Sequence, residues 1–183
     1  FKNRGRIITY TEFVDRFVTG QESADEETFL LTFDDGLKDS YNFILPILTK
    51  HGATGLFNLI TKAIDEDFVP LTHKVHYLLG TVPLDDLIKL IVAKHLEKYG
   101  TSFWDYTDET KARMTYRWDT DSVKMFKWTL NFGLPTSVKE WLIKEAFNQY
   151  FSTPEVSNEL FLNWEEVREL SDNGCEIGGH THS

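Results

Sequence analysis

Two apolar runs with a helical pattern between them constrain this chain more than any other feature. "TFLLTF" (Thr28–Phe33) and "ATGLFNLIT" (Ala53–Thr61) are β-leaning and nearly free of polar alternation. Such runs suit strands buried on both faces, as in a parallel sheet. Between them, Tyr41, Ile44, Leu45 and Leu48 lie on one face of a helix over Lys38–His51. Pro46 falls inside that pattern and predicts a kink or a late start. Strand, helix and strand form a βαβ unit, so the fold class is α/β with a parallel sheet or barrel. A third run, "CEIGGHT" (Cys175–Thr181), follows a helix predicted to be capped by Asn163 and stopped at Gly174. Upstream, "RIITY" reads as a short strand and "TEFVDRFV" as a helix, with "QESADEE" as an acidic connector.

Residues 62–158 carry almost no strand signal. "LTHKVHYLLG", "PLDDLIKLIVAKHLEKYG", "DTDSVKMFKWTLNF" and "SVKEWLIKEAFNQYF" have helical spacing, and the last opens on a capping-box pattern, Ser137 to Glu140. We read 62–158 as an all-helical insertion within one domain spanning 1–183. The formal net charge of −10 argues against a nucleic-acid binder, which needs a basic face, and against adhesion to anionic membrane surfaces. No run approaches the length of a membrane span, and no secretion signal is visible. The single cysteine, Cys175, allows no internal disulfide and favours a reducing, cytoplasmic compartment. The chain starts at Phe1 and stops at Ser183, which reads as a domain truncated at its C-terminus. Nothing in the sequence sets an oligomeric state.

Sites in parallel α/β folds form at the C-terminal ends of strands. Asp34 and Asp35 end one predicted strand and His180 ends another, so the topology brings them to one rim. Carboxylate plus imidazole is a ligand set for zinc or a similar divalent ion. Such an ion activates water and polarises a carbonyl, and a carboxylate outside the ligand set can take the water's proton. Gly36 supplies the backbone freedom for a turn at the strand end. "HTH" would place His180 and His182 on one strand face, the arrangement of amidohydrolase-type metal barrels, although there the aspartate comes later in the chain. Four of the five tryptophans lie in 62–158, where aromatic residues at helical spacing are first of all core. Tyr116 and Trp118, in the least periodic stretch, are the candidates for a sugar contact. His73 and His76 share a helix face, while His51 and His95 read as surface residues near helix ends.

"LTFDDG", followed by a helix and "GAT", and the later "EIGGHTHS" resemble the first two motifs of the polysaccharide deacetylase family (carbohydrate esterase family 4, the nodulation-protein-B homology domain). The resemblance covers Phe29–Thr61 and Leu162–Ser183. It implies an incomplete, distorted (β/α) barrel with the helical insertion between the second strand and the second motif. It implies a hydrolase that removes acetyl groups from N-acetylated sugars, acting on carbon–nitrogen bonds other than peptide bonds, as on bacterial surface polysaccharide. Asp34 would be the general base, and Asp35 and His180 ligands of a divalent metal, zinc in the first place. The family's third ligand would fall just past Ser183, so the chain ending there would be inactive by itself. Two alternatives stay open: an amidohydrolase-type enzyme acting on a non-sugar amide, and a catalytically inactive carbohydrate-binding module of the same fold.

Overall fold

The computed structural model describes residues 4–18, 20 and 27–182; most of the acidic connector, 21–26, lies outside the described residues. The five strands described pair in parallel, and one isolated antiparallel bridge joins Leu37 to Phe161. β1 (Arg6–Ile7) pairs with β2 (Thr28–Phe29), and β3 (Thr32–Phe33), β4 (Leu56–Ile60) and β5 (Glu176–Thr181) form a second sheet in that order. The mixture of helices and parallel strands is that of an α/β protein. The described residues divide into two compact units, 1–68 with 153–183, and Val69–Ser152.

In the α/β unit the first apolar run is not one strand. It breaks into β2 and β3, which pair with different neighbours, and Leu31 O still accepts from Leu56 N at 2.9 Å. Its residues are half-buried, and Thr32 is exposed, rather than enclosed on both faces. α1 (Tyr10–Phe13) opens on a capping box formed by Thr9 and Glu12, then widens into a π-type turn over Val14–Val18. A second π-type turn, Ser40–Ile44, precedes α2 (Leu45–His51). Pro46 explains it: proline gives no N–H to the turn before it, and the chain widens so that Leu45 N–H reaches Ser40 O, five residues back. The proline therefore marks a late start of regular α-helix. α3 (Thr61–Asp65) follows β4 directly.

The core of this unit is built by α2, β4 and a later helix: Leu45, Leu48, Phe57, Leu59, Leu162, Val167, Leu170 and Cys175. That helix, α10 (Trp164–Asp172), starts where the sequence predicts. Asn163 Oδ1 accepts from Glu165 N and Glu166 N, and Glu166 Oε2 accepts from Asn163 N, each at 2.9 Å. α9 (Thr153–Leu160) is tied to the unit through Ser157 Oγ, which donates to Phe68 O at 3.0 Å.

Val69–Ser152 contain helices and turns and no strand. α4 (Leu71–Thr81), α5 (Leu84–Tyr99), α6 (Glu109–Thr115), α7 (Asp121–Trp128) and α8 (Thr136–Tyr150) pack around Leu78, Ile91, Phe103, Phe126, Leu142 and Phe147. Two sequence expectations fail here. The Ser137–Glu140 capping box does not form, because α8 starts two residues earlier, with Pro135 at the N-cap position, which leaves Ser137 inside the first turn. His95 is not a surface residue. It is 0% exposed, held by Tyr99, Phe103 and Tyr106, with Nδ1 3.1 Å from Thr101 O. An imidazole has an aromatic body, and here its ring packs as core.

Candidate active site

The site grows from the end of β3. Asp35 (φ 71°) and Gly36 (φ 69°) both adopt the left-handed conformation directly after the strand. Asp35 is the one non-glycine described residue at positive φ, where a side chain is sterically disfavoured and aspartate is among the better tolerated. Such backbone strain concentrates at functional sites. Gly36 is buried, and a Cβ there would come within 3.1 Å of Leu59 Cδ2. Its carbonyl accepts from Leu162 N at 3.0 Å, which anchors the turn. Lys38, just beyond, donates to Asn158 O at 2.9 Å and lies 3.5 Å from Glu166.

The turn separates the two carboxylates. Asp34 faces β4, where Asn58 Nδ2 donates to its Oδ1 at 2.9 Å. Asp35 faces β5, with Oδ1 3.4 Å from His180 Nε2. Two details of the β4–β5 pairing make this possible. Asn58 pairs with Gly178, and a Cβ on Gly178 would stand 2.5 Å from Asn58 Oδ1. The bare glycine leaves the space that the carboxamide fills. Further along, Leu59 pairs with Gly179 and Ile60 with Thr181, so His180 is the extra residue of a bulge. Bulges re-aim side chains and gather next to active sites.

The bulge also interrupts the alternation that would give His180 and His182 a common face. His182 Nδ1 lies 2.9 Å from Thr61 Oγ1 and its carbonyl accepts from Lys62 N at 3.0 Å, which fastens β5 to α3. The Asp35 and His180 side chains are 31% and 44% exposed, so the pair opens to solvent. Among the described residues no group of three or more His, Cys, Asp or Glu side chains forms a metal cluster. Asp35 and His180 fit a divalent ion by donor type as a pair, carboxylate with imidazole.

Tyr116 and Trp118 belong to the helical unit. Trp118 is 94% exposed, and Tyr116 lines a pocket with His76. The residue that sequence reasoning missed is Asn58. Its signal was a lone polar residue inside the apolar run "GLFNLI", where a buried strand has no use for a carboxamide unless it has a partner.

At the start of β5, Glu176 ties distant chain together. Its carboxylate accepts from Tyr10 N, from Thr11 N at 2.9 Å and from Thr11 Oγ1 at 2.6 Å. Burial pushes this carboxyl up, and the Thr11 and Tyr10 hydrogen bonds outweigh it, holding it below the ordinary glutamate value.

No described helix is long and apolar enough to cross a membrane. A search of curated proteins and one of solved structures returned no significant match. The family model for polysaccharide deacetylase matches residues 21–129. That match includes the "LTFDDG" turn, α2 and β4, and stops before β5 and His180. It covers more than half of the 183 residues, and with the motif at the strand end it establishes that the chain belongs to the polysaccharide deacetylase family.

Proposed function

We propose that this protein is a metal-dependent hydrolase that removes acetyl groups from N-acetylated sugars, with Asp34 as general base and Asp35 and His180 as ligands of a divalent ion, zinc in the first place. The domain is read as a (β/α) barrel interrupted by the helical unit. The observation that carries the proposal is the contact between Asp35 Oδ1 and His180 Nε2 at 3.4 Å, at the end of the family's first motif. The chemistry such an ion supplies when bound is Lewis acidity, which polarises a carbonyl and eases the ionisation of water.

The chain's own residues have separate tasks. Asp34 takes a proton from the water that attacks the acetyl carbonyl. The carbon–nitrogen bond then breaks, acetate leaves, and the sugar nitrogen gains a proton to become an amine. Asn58 is a positioning residue: by donating to Oδ1 at 2.9 Å it holds the Asp34 carboxylate in one orientation. The half-exposed rim suits an extended polymer better than a small enclosed amide. The engagement of His182 by Thr61 favours this reading over a His-x-His amidohydrolase centre.

The test uses the full gene product, assayed for acetate release from an N-acetylglucosamine oligomer and for bound metal after dialysis. Asp34→Asn is expected to keep metal and lose about 100- to 10,000-fold in rate. Asp35→Asn is expected to lose metal as well as activity. Full activity in both variants would end the deacetylase reading, and the reverse metal pattern would exchange the two aspartate roles.

A further inference from the structure

We infer that the helical unit carries a binding site of its own, a pocket for a small oxyanion, built by Tyr116, Asn131, Lys127 and Lys139. The cavity is about 270 Å³, with Leu71, Val75 and Leu79 of α4 among its lining residues and polar groups elsewhere in its wall. An apolar wall with a few convergent polar groups is the usual form of a small-molecule site.

The direction of its hydrogen bonds points to the ligand. Lys139 Nζ lies 3.3 Å from Asn131 Oδ1, and Asn131 Nδ2 lies 3.0 Å from Tyr116 Oη. An ammonium only donates, so it fixes the carboxamide with its oxygen toward Lys139 and its NH2 toward Tyr116. Tyr116 must therefore accept from Asn131, and its own O–H remains to be donated. Among the described residues no protein acceptor takes that proton. Lys139 has no carboxylate partner among them either. Lys127 stands 5.7 Å from the centre of the Tyr116 ring and is paired with Asp119 at 2.8 Å, so that pair is neutral and the net charge at the wall comes from Lys139. His76 completes the rim of the pocket. The relay runs from cation to carboxamide to hydroxyl and ends on unused donors. What completes it is an acceptor carrying negative charge: a carboxylate, or a phosphate or sulfate group. In a chain of net charge −10 this is a local exception, which long-range attraction does not explain.

The test is an NMR titration of the full gene product with inorganic phosphate, glucuronate and glucose at millimolar concentrations. Phosphate or glucuronate is expected to shift the resonances of Tyr116 and Asn131, and glucose to leave them in place. Tyr116→Phe removes one oxygen from a half-buried ring and keeps the fold, and Lys139→Gln keeps the chain length. Each is expected to weaken the anion roughly tenfold or more, the usual cost of losing a charge-assisted hydrogen bond. Lys111→Gln, outside the pocket, is expected to change nothing. Tighter binding of phosphate identifies a free inorganic anion as the ligand, and tighter binding of glucuronate a carboxylate on a sugar; both uphold the site. The inference is overturned if neither anion shifts these resonances, if glucose binds as well as glucuronate, or if either folded variant binds as the parent does. No step of the titration reads deacetylation, so its outcome stands apart from that of the rim.

Discussion

The α/β unit and the helical unit are assembled by opposite logics. In the first, the positions that matter are set by pairing across great sequence separation: Thr61 meets His182 across 121 residues, and Tyr10 meets Glu176 across 166. In the second, helices α4 to α8 follow one another, and the core is a set of aromatic and aliphatic side chains at helical spacing. The difference teaches where a single change does its damage. Loss of core volume in the helical unit costs stability. In the α/β unit one methyl group at a strand pairing reaches the Asn58 carboxamide beside Asp34.

The largest expected effect is in the helical core. Phe126 is fully buried, with its ring centre 5.8 Å from that of Phe103. Phe126→Ala should cost about 3–5 kcal/mol, from lost transfer energy and the cavity left behind. Hydrogen exchange is the measurement: faster exchange confined to Val69–Ser152 would sharpen the contrast between the units, and equally faster exchange throughout the chain would break it.

Next comes Gly178→Ala. The new Cβ would stand 2.5 Å from Asn58 Oδ1, so the carboxamide must leave its place beside Asp34. Displacement of a positioning group by about 1 Å costs on the order of a hundredfold in rate. The expected result is a loss in kcat with KM and bound metal unchanged; unaltered turnover would remove Asn58 from the site.

A smaller effect is expected from Glu176→Gln, which weakens the tie to Tyr10 and Thr11 by about 1 kcal/mol. The Glu176 carboxyl is held below its ordinary value, so its contribution is present above the usual carboxylate range and is lost as pH falls through the lowered value. Denaturant unfolding of parent and variant should therefore converge at acid pH, and a difference that persisted there would refute the pairing. The smallest effect belongs to Trp118→Ala. At 94% exposure this side chain buries almost nothing, and stability should stay within about 0.5 kcal/mol.

What was legible in the sequence was local. The apolar runs marked β4 and β5, the Asn163 box marked the start of α10, and "DDG" marked the turn that holds Asp34 and Asp35. Pro46 announced a disturbance, though only the structure resolved it as a π-type turn. His95 misled because a histidine near a helix end looks the same in sequence whether it meets water or three aromatic rings.

The sequence alone determined the residue types at the strand ends and the helical character of Val69–Ser152, because both follow from periodicity and turn chemistry within a short window. The tertiary structure decided that the first run divides between two sheets. It decided that Gly178 makes room for Asn58, and that a bulge turns His180 toward Asp35. Each depends on which residue of a distant strand stands opposite, and that register is settled by packing between segments that no local pattern connects.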